Sequence, residues 1–411
     1  LTKKLSTLPR ARSTWRKTAH HADINIYDDV WVLRNEGQRD SLNFGLLTEL
    51  VSPEFEFEIR HVFAKLVAVY VASTSVTYFN AFLALLRSSQ NTPKCDLSII
   101  DGELVALWMN SSPSAARVLQ LKGLFKAWRR FHGTFVEDEA FDLINRLNIP
   151  TNSGVYSTVL TWDENDGPYR PSEDEAIRVA LDDAFNEGKL NLDEYSMFRV
   201  LRGTGARLSS IADLKVGDLR HEEGRSYIKI PMKKQRGIAG WREAFMPWKP
   251  VTQGLSNILA MQIETNVTPR LAPEEDRNQA PIFPSKRAKD LSSPHGHRSI
   301  STLKKTYGKV MERLEVVSPV TGHVIHGNPR RDRHTFLTML ALRGCSAEEI
   351  AANAGHINVT SCQAYVDASI DHFQRMEKLV GAAFIPVADR FIGTVSESHN
   401  DPNSEEAIWS E

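Results

Sequence analysis

From Glu54 to Arg87 apolar residues recur at helical spacing, first at Phe57, Ile59, Val62, Phe63 and Leu66, then at Val76, Phe79, Phe82, Leu83 and Leu86. The polar run Ser73–Thr74–Ser75 interrupts them, which predicts two helices, the second capped near Ser73 or Ser75. Further helices are expected over Ile99–Trp108, Ala115–Phe131 and Glu137–Leu147, so residues 51–150 read as an all-helical domain. Residues 151–171 are rich in Gly, Pro, Asn and Ser with few periodic apolar positions, the pattern of a linker. Glu173–Asn186 then opens a new helical region with an acidic first turn, which suits the helix dipole. Tyr227–Pro231 and Glu243–Trp248 resemble short strands around a Lys- and Gly-rich turn, a hairpin inside otherwise helical sequence. Helices resume over Leu255–Thr265, Ser301–Leu314, Arg333–Arg343, Ala347–Ala354 and Ala368–Val380. Residues 1–50 have weak periodicity and read as a basic arm or extension. The expected fold class is mainly α with a small β-sheet (α+β), in at least two domains.

Composition narrows the class without naming a chemistry. Over 411 residues, 41% hydrophobic and 25% charged content is ordinary for globular chains and excludes wholesale disorder. Cys95, Cys345 and Cys362 form no CxxC and no paired framework, which fits a reducing, cytoplasmic compartment. The long apolar stretch 62–86 is broken by Lys65, Ser73–Ser75 and Asn80, so no membrane span is expected. The basic start lacks the apolar core of a secretory signal.

The net charge of −1 argues for no particular partner, but its distribution does. Residues 1–22 hold six Lys/Arg and no acid, whereas 137–196 hold 15 acids against 4 bases. Residues 199–250 carry 12 bases and 5 acids, and 286–343 carry 12 bases and 4 acids, so these two blocks sum to +15. Two basic blocks in one region point to a polyanion-binding surface. Residues 386–411 are expected to form an acidic C-terminal tail, with five acids and no base over 395–411.

Three landmarks lie within or just after those blocks. The first is Gly205-Ala206-Arg207, followed by Leu214 and Asp218; the second is Asn328-Pro329-Arg330-Arg331-Asp332-Arg333-His334-Thr335-Phe336. Arg330 and Arg333 stand three apart and share a helix face. Guanidinium groups so crowded are costly unless an anion is shared between them. The third is Gly355-His356 with Tyr365 nine positions beyond the histidine. The His295-Gly296-His297 pair has no ligand spacing with a Cys or carboxylate partner, and no metal site or cofactor site is expected.

In order and in spacing, Arg207, a lysine in the hairpin, Arg330-x-x-Arg333, Gly355-His356 and Tyr365 resemble the tyrosine recombinase (phage integrase) family. The resemblance covers about residues 173–380. It implies a catalytic domain over 172–385, preceded by a helical core-binding domain over 51–150. Two positions depart from the family pattern: Arg330 stands where a histidine is usual, and Ser210 where an acid is usual.

The resemblance implies a site-specific recombinase or integrase, carried by a mobile element. It would act on double-stranded DNA at a core site as a homo-tetramer on two DNA sites, with a directionality factor as a candidate further partner and a nucleoid-associated location. It implies Tyr365 as nucleophile, forming a 3′-phosphotyrosyl bond, and His356 as a hydrogen-bond donor to the scissile phosphate. The alternatives are relaxation of DNA in the manner of type IB topoisomerases, and a catalytically silent DNA-binding protein on the same fold.

Elementary chemistry suits these roles. The planar forks of Arg207 and Arg333 bind phosphate oxygens and never deprotonate. Nearby cations are expected to lower the Tyr365 pKa. Lys234 is the candidate general acid for the leaving oxygen, with Lys233 as its close rival. Arg330 can donate to phosphate but cannot serve as a base. Arg331 is expected to point elsewhere and, in cleavage, to tolerate replacement by alanine far better than Arg330. His334 is expected to give structural support. An apolar face of Phe373, Met376, Leu379 and Val380 is expected to join protomers.

Overall fold

A computed structural model describes residues 15–17, 23–34, 39–88, 97–149, 154–231, 246–291, 293, 296–355, 359–372, 374 and 378. Lys233, Lys234, His356, Phe373, Met376, Leu379 and Val380 lie outside these residues.

The chain opens with two antiparallel ribbons. Strands β1 (Trp15–Lys17) and β2 (Asp23–Asn25) form one, and β3 (Val30–Arg34) and β4 (Arg39–Asn43) form the other. Five helices follow: α1 (Pro53–Val69), α2 (Ala72–Arg87), α3 (Gly102–Asn110), α4 (Ala115–Arg130) and α5 (Asp138–Arg146). Ser52, Asp101 and Ser114 cap α1, α3 and α4 with side-chain oxygens on backbone N–H groups, as their sequence positions require. The start of α2 differs from the expectation. It begins at Ala72 behind Val71, with no side-chain cap, and Ser73–Ser75 sit inside its first turn.

Residues 23–34 and 39–50, expected to form part of an arm, instead build one wall of the first core. Ile24, Ile26, Trp31, Leu33, Leu42 and Phe44 are buried against α1 and α2. Arg60 of α1 fixes this wall. It is fully buried, pairs with Glu56, donates to the carbonyls of Ile26 (3.0 Å) and Asp28 (2.7 Å), and lies over the Phe44 ring. The weak periodicity of these residues reflects short strands with one buried face, which a helical template misses.

The expected linker, 151–171, also holds structure. Helix α6 (Gly154–Leu160) lies within it, Val159 is fully buried in a third core, and Tyr169 is fully buried in the second.

The second core is built by α7 (Pro171–Asn186), α8 (Leu192–Thr204), α9 (Leu208–Ala212), α10 (Gln253–Asn266) and α11 (Ile300–Leu314), with an antiparallel sheet at one side. That sheet is β5 (Leu219–Glu222), β6 (Arg225–Lys229) and β7 (Trp248–Val251), in order β5-β6-β7. The hairpin of the sequence reading thus has a third strand, β5, and its last strand lies further along the chain, beginning at Trp248. Helix α8 was not foreseen, although Asn191 and Glu194 carry a reciprocal capping box at its start.

A third, smaller core joins α12 (Pro329–Leu342) and α13 (Ala347–Ala354) to the helix over 360–372, α14, through Leu337, Ile350, Cys362 and Tyr365. The chain is mainly helical with small antiparallel sheets, as expected. Among the described residues no helix is long and apolar enough to cross a membrane.

Candidate active site

Helix α8 ends where Gly205 takes the left-handed conformation (φ 60°, ψ 19°), with its N–H on the Leu201 carbonyl. Glycine is needed there twice over. A Cβ would be strained at that φ, and it would also lie within 2.8 Å of Phe336 Cγ in α12. The tight turn delivers Arg207 to the position just before α9, half-buried and facing α12 and α14. Gly205→Ala is expected to cost about 1–2 kcal/mol from the backbone alone, with the Phe336 clash in addition. A thermal melt beside a DNA-cleavage assay checks this, and both should fall.

Helix α12 begins in the manner its sequence dictates. Asn328 is the N-cap, accepting from the N–H groups of Arg330 (2.9 Å) and Arg331 (3.0 Å), and Pro329 fills the first turn. Three arginines then sit at the positive end of a helix dipole, an arrangement that favours an anion nearby.

Their environments differ. Arg331 is buried (2% exposed). Its Nε donates to the Gly167 carbonyl (3.0 Å), its Nη1 to the His326 carbonyl (2.6 Å), and its guanidinium lies 4.1 Å from the Tyr169 ring centre. It does point away from Tyr365, as expected, and it ties two loops to α12. Arg330 is exposed and, among the described residues, makes no ion pair.

Arg333 is buried beneath the same surface as Arg207. Its Nη1 donates to the Gly205 carbonyl (2.6 Å) and its Nη2 to the Ala354 carbonyl (2.7 Å), so one side chain joins the ends of α8, α12 and α13. Burial and the neighbouring Arg207 push its guanidinium down to about 10, and burial also lowers Arg207. Two cations held close in a dry site are destabilising in isolation, and an anion between them would relieve both. Gly355, the left-handed cap of α13, follows directly, and His356 comes next, outside the described residues.

Tyr365 lies on α14, 2% exposed, and its hydroxyl meets His334 Nδ1 at 2.8 Å. Burial pushes its phenol up to about 12, while Arg333, Arg330 and Arg207 each pull it down. The expected net lowering is therefore reversed, because desolvation outweighs three guanidinium charges. Arg207, Arg330, Arg333 and Tyr365, far apart in sequence, converge on one place. Ser210, at the family's acidic position, is buried in the same cleft.

Sequence reasoning missed one cation here. Lys249 of β7 lines the cleft with Arg207 and Arg333, and its Nζ donates to the Asn353 carbonyl at the end of α13. Burial, then Arg333, push its ammonium down to about 8. The lysines of the preceding turn drew attention away from it, and a lone lysine in a short strand carries no motif. Tyr307, by contrast, is a core residue, stacked on Phe198 and beside the Tyr169 hydroxyl. Among the described residues no group of three or more His, Cys, Asp or Glu side chains is placed to hold a metal ion.

Residues 174–372 match the phage integrase family. Over 204 residues the chain is 24% identical to the tyrosine recombinase XerC of Rickettsia bellii (strain OSU 85-389), covering 49% of this chain and 56% of that protein. Over 186 residues it is 27% identical to the tyrosine recombinase XerA of Pyrococcus horikoshii, covering 45% and 53%. The chain thus spans about half the length of these curated relatives. Its fold is similar to that of the XerH site-specific recombinase bound to a palindromic difH substrate, with a TM-score of 0.51 at 15% identity over 83% of this chain and 88% of that one. The family match lies over the segment that carries the converging arginines and Tyr365, and through residues 174–372 the chain is similar to the phage integrase family of tyrosine recombinases.

Proposed function

We propose that the protein is a site-specific DNA recombinase that cuts and rejoins strands through a 3′-phosphotyrosyl intermediate. The observation that carries this reading is the convergence of Tyr365 with Arg207, Arg330 and Arg333, whose charges all act on its hydroxyl. A phosphodiester resists attack because it is anionic, and charge on its non-bridging oxygens grows in the transition state. The forks of Arg207 and Arg333 are suited to those oxygens, and losing one such stabiliser typically costs about 10²–10³ in rate.

In this reading Tyr365 Oη attacks phosphorus, the 5′-oxygen leaves, and the covalent bond stores the phosphodiester energy. A second strand's 5′-hydroxyl then reverses the step without a nucleotide cofactor. His356 donates to the phosphate and Lys234, or its neighbour Lys233, protonates the leaving oxygen. The partner is double-stranded DNA at a core site, with four copies on two sites, carried by a mobile element and assisted by a directionality factor.

Lys249 joins this set as a further cation facing the phosphate. Lys249→Met is expected to slow single-turnover cleavage by about 10² without lowering the melting temperature, since it removes a charge that burial disfavours. The loss should be largest below pH 8, where the ammonium is charged, and should fade above it.

A nicked suicide duplex, from which the cut strand's short product diffuses away, tests the reading. A covalent protein–DNA species on a denaturing gel, and strand exchange between two labelled duplexes, are expected. Relaxation of supercoiled DNA without exchange would favour the topoisomerase-like alternative, and binding without any adduct would favour the silent DNA-binding protein.

A further inference from the structure

We infer that His334 accepts the Tyr365 proton during attack, in the place of the base that Arg330 cannot provide. The inference deepens the proposed function and rests on it. Three observations carry it. His334 Nδ1 lies 2.8 Å from Tyr365 Oη, the distance of a hydrogen bond ready for proton transfer. Both side chains are buried, 4% and 2% exposed, so bulk water has little access to take that proton. Among the described residues, the remaining charged or titratable groups that face the hydroxyl are Arg207 at the start of α9 and Arg330 and Arg333 on α12, all donors only, with the Cys362 thiol on α14. His334 is the nitrogen in this group that can receive a proton.

The contact has a structural cause. His334 follows Arg333 on α12, so the helix that buries the guanidinium between Gly205 and Ala354 turns the next side chain toward α14. There the Tyr365 ring packs with its centroid 5.8 Å from the imidazole. In the tautomer protonated at Nε2, Nδ1 accepts from the phenol.

In the step itself, the Oη–H bond breaks as the Oη–P bond forms, and the proton passes to His334 Nδ1. The P–O5′ bond breaks, and the 5′-oxygen leaves with its bonding pair and takes a proton from a lysine of the site or from water. On rejoining, the imidazolium returns its proton to Tyr365 Oη. This assigns His334, expected from the sequence to give structural support only, a chemical role.

The test is single-turnover cleavage of the nicked suicide duplex by wild type and His334→Gln between pH 6 and 9. Glutamine can still accept the phenol's hydrogen bond but cannot carry its proton away. Wild-type adduct formation must be seen first, because its absence would end the proposed function rather than this inference. His334→Gln is expected to bind DNA and melt like wild type and to cleave about 10²–10⁴-fold more slowly at pH 7. The ratio of wild-type to variant rates should shrink about tenfold per pH unit, since hydroxide replaces the missing base. A fluorinated tyrosine of lower pKa at position 365 should likewise rescue the variant more than wild type. A deficit that does not change with pH, or with the fluorinated tyrosine, would make His334 a packing residue and overturn the inference. A variant as fast as wild type, or faster, would overturn it too and make the contact a latch on a resting tyrosine.

Discussion

Tyr365→Phe is expected to leave DNA binding unchanged and to abolish covalent attachment to DNA. The ring is 2% exposed in the core formed by α12, α13 and α14, and phenylalanine keeps that packing. What is lost is the hydroxyl, and with it the hydrogen bond to the buried His334, a stability change of about 1–3 kcal/mol. No phosphotyrosyl bond can form without the oxygen. The nearest rival by sequence, Tyr307, is 1% exposed and packed on Phe198, so it cannot take over. Filter binding beside a denaturing gel on the same DNA checks both halves of the result. An adduct that persists in the variant would move the nucleophile elsewhere.

The two adjacent arginines of α12 should fail in opposite ways. Arg331→Ala leaves the buried Gly167 carbonyl and the partly buried His326 carbonyl without their donor and opens a space beside Tyr169. One carbonyl left unpaired costs about 1–3 kcal/mol, so the pair should cost about 3 kcal/mol or more. For a domain of this size that lowers the melting temperature by roughly 6–12 °C. Arg330→Ala, at an exposed side chain with no ion pair among the described residues, should melt like wild type. It should nevertheless lose most cleavage, about 10², because its charge acts on Tyr365. Arg330→Lys and Arg330→His, which keep a donor, should retain a measurable part. Melting curves and single-turnover rates for the four variants separate the roles. If Arg331→Ala melts normally, the tie between α12 and residues 163–170 is not what holds that loop.

These contrasts show what could be read before the fold was known. Arg207, Arg330, Arg333 and Tyr365 stood out because their spacing repeats a family pattern, and most helices announced themselves by apolar periodicity, whereas the one cap expected, near Ser73 or Ser75, is absent and the start of α2 carries no side-chain cap. Strands over 23–43 were less legible, since elements of three to five residues carry too few positions to establish an alternation. Helix α8 was overlooked although Asn191 and Glu194 signalled its start. The His334–Tyr365 contact and the place of Lys249 are tertiary facts. The first joins residues 31 apart in sequence and the second residues 104 apart, and no local rule pairs them. The Tyr365 phenol shows the same limit from the side of energetics. The charges around it could be listed from the sequence, but the burial that outweighs them depends on how α14 packs.

The central claim is that Tyr365, set among Arg207, Arg330 and Arg333, becomes bonded to a DNA 3′-phosphate. The most direct measurement is to trap the protein on a nicked suicide duplex, digest both components, and identify the linked peptide and the linked strand end by mass spectrometry. The account predicts a single nucleotide-bearing peptide whose modified residue is Tyr365, joined to a 3′-phosphate, with a free 5′-hydroxyl on the released strand. A link at another residue, a link to a 5′-phosphate, or cleavage that leaves no protein-bound strand would contradict it.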